Sequence, residues 1–323
     1  MRNLRDHPER AAPPPHPDLV RGLSDTPRRL PYRLLWDDHN TALYDRIRAR
    51  PEYYVDRLET GLLHAHAPDI VAAAGAGGLL DLGSGTGSKA LILLGQAHAP
   101  SWFAPVDVSA PALARLAERF ARHAPDIAVH PLEADFTRPW PDSLDRAPRP
   151  LLVALLGGTL GNFTGEERRD LLTHLGRMLR PGDTLLLGVP LRHDVEAMRS
   201  AYDDRAGLMV EFYRHCLRIL NRDHGTDFDL DAYGHHVGWS ARHHRVEIGL
   251  QARADQRVHV PGVPAAHLIR RGEVLRAVVA ARFTRSSFTA ELARHGFRPL
   301  RWHAEETGRY ALALVGATTR PIG

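Results

Sequence analysis

Apolar positions along the chain change period several times, and each change predicts a boundary. Helical spacing runs over about 41–50 and 55–74, then gives way to a short apolar run at 79–82 that enters a glycine turn. A helix begins at 90–94, and 103–108 reads as a second strand with Asp107 near its end. Leu113, Leu116 and Phe120 mark one face of an amphipathic helix. A short strand near 127–130 leads to Glu133-Ala134-Asp135-Phe136. The run 151–156 is a strand ended by Gly157-Gly158; a helix over 166–179, the turn Pro181-Gly182-Asp183 and a strand at 184–187 follow. Strands alternating with helices predict a doubly wound parallel α/β sheet.

After Pro190 the pattern changes. Residues 193–222 read as helical, while 239–251 and 267–283 alternate as strands. A helix at 286–295 and a strand at 309–315 return to the sheet. The expected organisation is one α/β domain from 61–192 plus 283–323, and a second α+β domain from 18–60 plus 193–282. The proline-rich residues 1–17 read as a flexible arm.

Composition narrows the class. Of 323 residues, 43% are hydrophobic and 25% charged, ordinary for a globular enzyme. The net charge of +4 is spread by interleaved acids and arginines, as in Arg168-Arg169-Asp170, which argues against a nucleic-acid face. No apolar run is long enough to span a bilayer. The start, Met1-Arg2-Asn3-Leu4-Arg5-Asp6, lacks an apolar leader, and one cysteine, Cys216, excludes an internal disulfide framework; both fit a cytoplasmic chain. A monomer is expected. The 20 histidines show no metal-ligand spacing: His64-Ala-His66 falls on different helix faces, and the pairs His235-His236 and His243-His244 point to opposite faces of a strand. No metal is expected.

The densest motif is Leu80-Asp81-Leu82-Gly83-Ser84-Gly85-Thr86-Gly87-Ser88-Lys89. It places backbone N–H groups and a helix N-terminus against a ligand. Lys89 is the one lysine among 42 basic residues; a compact charge on a flexible stem suits delivery to a small anionic group. The spacing matches neither a Walker loop nor the strong dinucleotide fingerprint. Acid-Leu-Gly-x-Gly-x-Gly resembles the first motif of class I S-adenosylmethionine-dependent methyltransferases. Asp107 ends the next strand, where a carboxylate can accept both ribose hydroxyls. Asp135-Phe136 follows the third strand, a place for an acid to meet the adenine amino group and an aromatic ring to flank the base.

Further motifs extend this over nearly the whole chain: Asn40-Thr41-Ala42-Leu43-Tyr44-Asp45, Arg50-Pro51-Glu52-Tyr53-Tyr54, Gly157-Gly158-Thr159-Leu160-Gly161-Asn162, Ala201-Tyr202-Asp203-Asp204, Asn221-Arg222 and Asp227-Phe228-Asp229-Leu230-Asp231. Together they resemble the histidine Nα-methyltransferases of ergothioneine biosynthesis. The resemblance implies S-adenosylmethionine held by Gly83, Ser84, Gly85, Thr86, Lys89, Asp107, Asp135, Phe136 and Gly157. It also implies an amino-acid substrate whose carboxylate is held by Asn162 and Tyr202, with Tyr53 near the side chain.

Departures from the family bear on the substrate. Gly272-Glu273 and Arg282-Phe283 match a family segment whose second Glu and Ser recognise an imidazole, but those positions are Val278 and Ala280. Ile248 stands where the family has a methionine. A pocket stripped of polar partners disfavours a ring that enters with unpaired N–H groups. Near the substrate amine the family tyrosine is Trp36, whose face suits a methylated ammonium, and Tyr44 replaces a phenylalanine. The expected activity is therefore Nα-methylation of a free amino acid with an aromatic or large apolar side chain, tryptophan first, in a cleft closed between the two domains. The alternatives are that histidine remains the substrate, or that the chain binds S-adenosylmethionine without turnover.

Overall fold

The computed structural model describes residues 16–140, 144 and 146–318. Its helices are α1 (Pro17–Ser24), α2 (Asp38–Arg48), α3 (Tyr54–Ala74), α4 (Ser88–Leu94), α5 (Ala110–His123), α6 (Gly165–Met178), α7 (Val195–Ser200), α8 (Leu208–His224) and α9 (Arg285–Arg294). Its strands are β1 (Gly78–Leu82), β2 (Trp102–Asp107), β3 (Ala128–Val129), β4 (Leu132–Glu133), β5 (Leu151–Leu155), β6 (Thr184–Pro190), β7 (Tyr233–Ser240), β8 (Arg245–Ala252), β9 (Gln256–Val258), β10 (His267–Ile269), β11 (Val274–Ala281), β12 (Phe297–Ala304) and β13 (Tyr310–Ala317).

Two compact units divide the chain. One comprises the described residues up to Glu52 with Arg199–Trp239 and Val246–Val278; the other comprises Tyr53–Met198, Ser240–Arg245 and the described residues from Val279. The sequence places the first boundary at 60/61, whereas contacts place it at 52/53 and keep α3 whole. Of the expected arm, only His16 and Pro17 are described, and Pro17 already opens α1.

The second unit is built on a sheet ordered β12-β13-β6-β5-β1-β2-β3, with β4 also on β2. β1 pairs in parallel with β2 and β5, and β5 with β6, while β13 and β12 run antiparallel at one edge. Every residue of β1 and β5 is buried, which is why both read as unbroken apolar runs. Leu80, Val153, Leu155, Leu187 and Phe288 belong to one core beneath them. Sheet order makes the β1–β5 junction a topological switch point, and ligands of such sheets bind outside the strand ends there. The glycine turns follow these two strands. Helices start where the side chains allow: Ser109 caps α5, and Thr164 with Glu167 forms a reciprocal cap on α6. Strand β12 is absent from the sequence expectation because Pro299 interrupts its alternation; the strand tolerates it at the sheet edge beside a bulge.

In the first unit, α2 packs on α8, and β11, β8 and β7 form a three-stranded sheet beside the β9–β10 ribbon. The single helix expected over 193–222 is two, because the Asp204 carboxylate caps a new start by accepting from the N–H groups of Leu208 (3.1 Å) and Met209 (2.7 Å). No described helix is long and apolar enough to cross a membrane, and no metal-holding cluster of His, Cys, Asp or Glu occurs among the described residues.

Candidate functional site

The turn after β1 is built from three glycines in the left-handed region, Gly83 (φ 74°), Gly85 (φ 52°) and Gly87 (φ 70°). Two of them show distinct needs. A Cβ on Gly87 would strike the Phe120 ring at 2.8 Å, so this glycine lets α5 close over the turn. A Cβ on Gly85 would meet nothing within 4 Å, so that stretch faces open space, as backbone approach of a ligand requires. The Ser84 hydroxyl donates to the Asp81 carbonyl (2.7 Å) and the Thr86 hydroxyl to Ser88 (3.2 Å).

Asp107 ends β2 beside this turn. Its carboxylate accepts from the Gly85 N–H (3.4 Å) and the Ser109 N–H (3.0 Å), so it is oriented by backbone donors from both sides. Asp135 accepts from the N–H (2.9 Å) and hydroxyl (2.5 Å) of Thr137. Phe136 lies close to Gly83, whose Cβ would sit 3.6 Å from its ring. Phe136 also packs edge-on against Phe163, the residue after Asn162, at 6.3 Å. The structure thus brings Gly83, Gly85, Asp107 and Phe136 into one neighbourhood.

Lys89 is placed differently from the expectation of a charge offered to a ligand. Its ammonium pairs with Asp56 (2.9 Å) and with Glu59, both on α3. Burial works against the ammonium, but these two carboxylates outweigh it and hold its pKa above the ordinary lysine value. Glu59 has no exposed surface, and it also accepts from the Gly157 N–H (2.8 Å) and the Tyr310 hydroxyl (2.7 Å). Beside them, burial pushes the Asp81 carboxyl up to about 7, opposed by Lys89 and reinforced by Glu59 and Asp107. Sequence reading misses Asp56, Glu59 and Tyr310. The available signal is Asp56-x-x-Glu59, two acids one helical turn apart in a mostly apolar helix ahead of a lone lysine.

The second glycine turn, Gly157 (φ 75°) and Gly158 (φ 66°), leads from β5 into a short 3-10 turn, Thr159–Asn162. Gly161 lies against the backbone of Ala281, where its Cβ would stand 3.1 Å from the carbonyl oxygen. Half-buried Asn162 is therefore carried next to the end of β11, where Ala280 is buried. Tyr53, in the same unit, is buried at the start of α3.

The first unit holds the other candidates. Trp36 is the centre of an aromatic cluster, edge-on to Tyr44 (5.4 Å), Phe212 (5.4 Å) and Tyr32 (5.6 Å). Tyr202 is buried, and its carbonyl bonds to the His235 Nε2 (2.8 Å), whose ring stacks on Tyr213 (5.5 Å). Burial raises the Tyr213 phenol well above its ordinary pKa, helped by neighbouring Cys216, Tyr32, Tyr202 and Tyr44. Tyr44 and Tyr202 thus share one phenol-rich region, and Phe212, Tyr213 and His235 are members that sequence reading does not name. Ile248 is fully buried on β8, and Val278 is half-buried on the adjacent β11. Val278 and Ala280 alternate onto the same side of β11.

Comparison with known proteins bears on this arrangement. The family "Histidine-specific methyltransferase, SAM-dependent" matches residues 16–317. A histidine N-alpha-methyltransferase of Mycolicibacterium smegmatis is 35% identical over 92% of this chain and 93% of its own. That of Mycobacterium tuberculosis is also 35% identical, over 92% and 93%. An L-tryptophan methyltransferase of Psilocybe serbica is 23% identical over 99% and 98%. The doubly wound sheet, the open glycine turn at its switch point and the oriented Asp107 fit S-adenosylmethionine, the methyl donor of this family. The chain is an S-adenosylmethionine-dependent N-methyltransferase, and it belongs to the histidine-specific methyltransferase family.

Proposed function

We propose that this enzyme methylates the α-amine of a free amino acid, and that histidine is its substrate. The observation that carries the proposal is the 35% identity to two histidine N-alpha-methyltransferases over 92% of the chain. That kinship supports histidine better than it supports the tryptophan preference read from the sequence.

The bound cofactor supplies an electrophilic methyl on a sulfonium. The residues of the chain do the rest. Asp107, already oriented by two backbone N–H groups, accepts from the ribose; Gly83, Ser84, Gly85 and Thr86 let the backbone approach; Asp135 and Phe136 address the base; Lys89 and Gly157 complete the cofactor side. Asn162 and Tyr202 donate to the substrate carboxylate without placing positive charge near the sulfonium. The amine must be neutral to attack; the ring face of Trp36 suits the ammonium that forms, and Tyr44 brings a hydroxyl to the amine. Charge moves from sulfur to nitrogen, so alignment and exclusion of water matter more than a strong acid or base.

A second reading is kept by one specific observation. Val278 and Ala280 leave β11 with no side-chain donor or acceptor where an acid and a hydroxyl would read an imidazole. That favours tryptophan or another apolar aromatic amino acid. The test compares kcat/KM for histidine, tryptophan, tyrosine, phenylalanine and leucine in the native chain and in Val278→Glu/Ala280→Ser. Histidine as best substrate of the native chain supports the first reading. Tryptophan as best, with a shift toward histidine in the double variant, replaces it with the second. Turnover of none removes both.

A further inference from the structure

The strongest unassigned feature is the buried carboxylate of Glu59. We propose that Glu59 is a positioning residue that ties the cofactor turn to the turn carrying Asn162, acting through Lys89 and the Gly157 peptide. The proposal rests on the reading of those two turns as cofactor and substrate sites.

A carboxylate without exposed surface is costly unless its partners are well placed. Both Glu59 oxygens lie 2.8 Å from the Gly157 nitrogen. The opposite edge of that peptide, the Leu156 carbonyl, accepts from the hydroxyl (2.6 Å) and N–H (3.3 Å) of Thr159. The peptide plane is thus pinned from both sides. Gly157 and Gly158, both at positive φ, have little intrinsic preference to hold that geometry, and Glu59 adds to the Thr159 contact a constraint from outside the turn. On its other side Glu59 holds Lys89, the second residue of α4, directly after the cofactor turn.

Two further contacts fix the carboxylate itself. Tyr310, fully buried on β13, donates to it. Gly188 on β6 leaves the space it occupies, since a Cβ there would overlap both the Glu59 oxygen and the Tyr310 hydroxyl. The charge of Lys89 is already met by Asp56 and Glu59, so its work is to hold α4 to α3 rather than to neutralise an anionic group alone. Movement of either turn must then displace the other through one carboxylate.

The test uses the full chain and the variants Glu59→Gln, Lys89→Met, the double variant and Tyr310→Phe. Four quantities are measured: S-adenosylmethionine affinity by calorimetry, hydrogen exchange of the Gly157 amide, Tm, and the KM of the best amino-acid substrate. Glu59→Gln keeps the shape and gives up the charge. It should weaken cofactor binding and raise the amino-acid KM about tenfold each, and speed exchange at Gly157. The double variant should lose no more than either single one, because both act through one unit. Tyr310→Phe should lower Tm and leave affinity and KM within about twofold, since both turns stay tied. Lowered Tm in Glu59→Gln with unchanged affinity and KM would reduce Glu59 to a structural role and overturn the proposal. Multiplicative losses in the double variant would do the same. If Glu59→Gln does not fold, Lys89→Met decides: a loss confined to cofactor affinity overturns it. A native chain that methylates no amino acid refutes the reading of the turns instead, and calorimetry with Gly157 exchange still tests the coupling.

Discussion

Raising the pH from 6 to 8 should strengthen cofactor binding, and Asp81 is the reason. Its carboxyl stands at the end of β1, is almost fully buried, and is pushed up to about 7 by burial, against Lys89 and with Glu59 and Asp107. S-adenosylmethionine carries net positive charge and binds better beside an ionised carboxylate. With a midpoint near 7, about a tenth of Asp81 is ionised at pH 6 and about nine tenths at pH 8, so affinity should rise by up to about tenfold. A proton should be released on binding below pH 7. The cofactor's own amine, with an ordinary pKa near 8, also titrates there, so the slope of Asp81→Asn is subtracted. Calorimetry in two buffers of different ionisation enthalpy measures affinity and proton release together. The same shift has a stability consequence. The folded carboxyl keeps its proton up to about 7 while the unfolded one loses it near 3.8, so stability falls as pH rises across that window. Equal pH slopes for the native chain and Asp81→Asn, with no proton released, would refute the reasoning.

Two other outcomes follow from the site. Asp107→Ala should weaken S-adenosylmethionine binding about tenfold or more, the loss of charge-assisted hydrogen bonds of about 1.5–3 kcal/mol; unchanged calorimetric affinity would remove Asp107 from the ribose. Asn162→Ala should raise the amino-acid KM and leave cofactor affinity nearly intact, and decarboxylated amines should be poor substrates; equal turnover of an amino acid and its amine would place the carboxylate clamp elsewhere.

Strand β1 and the glycine turn after it are legible in the chain because they are local. A buried parallel strand is an unbroken apolar run, and a tight turn needs glycine at positive φ; both sit within the ten residues that end at Lys89. Amphipathic spacing likewise marks the buried face of α5, where Leu113, Leu116 and Phe120 are all covered. Local rules fail where context decides. Pro299 hides an edge strand, and the carboxylate of Asp204 turns one long helical pattern into two helices.

By itself the sequence determined the alternation of strands and helices, the glycine turns, the acids at successive strand ends and the family to which these belong. These are properties of neighbouring residues, whose spacing sets both backbone geometry and the face each side chain takes. Only the tertiary structure decided which groups Lys89 pairs with. Its partners lie 30 and 33 residues earlier, and the Tyr310 that completes the Glu59 cluster lies 251 residues beyond that acid. Chain spacing does not encode such a meeting; the sheet makes it, by carrying β13, β5 and α4 to one buried acid whose charge must be satisfied wherever partners can reach it.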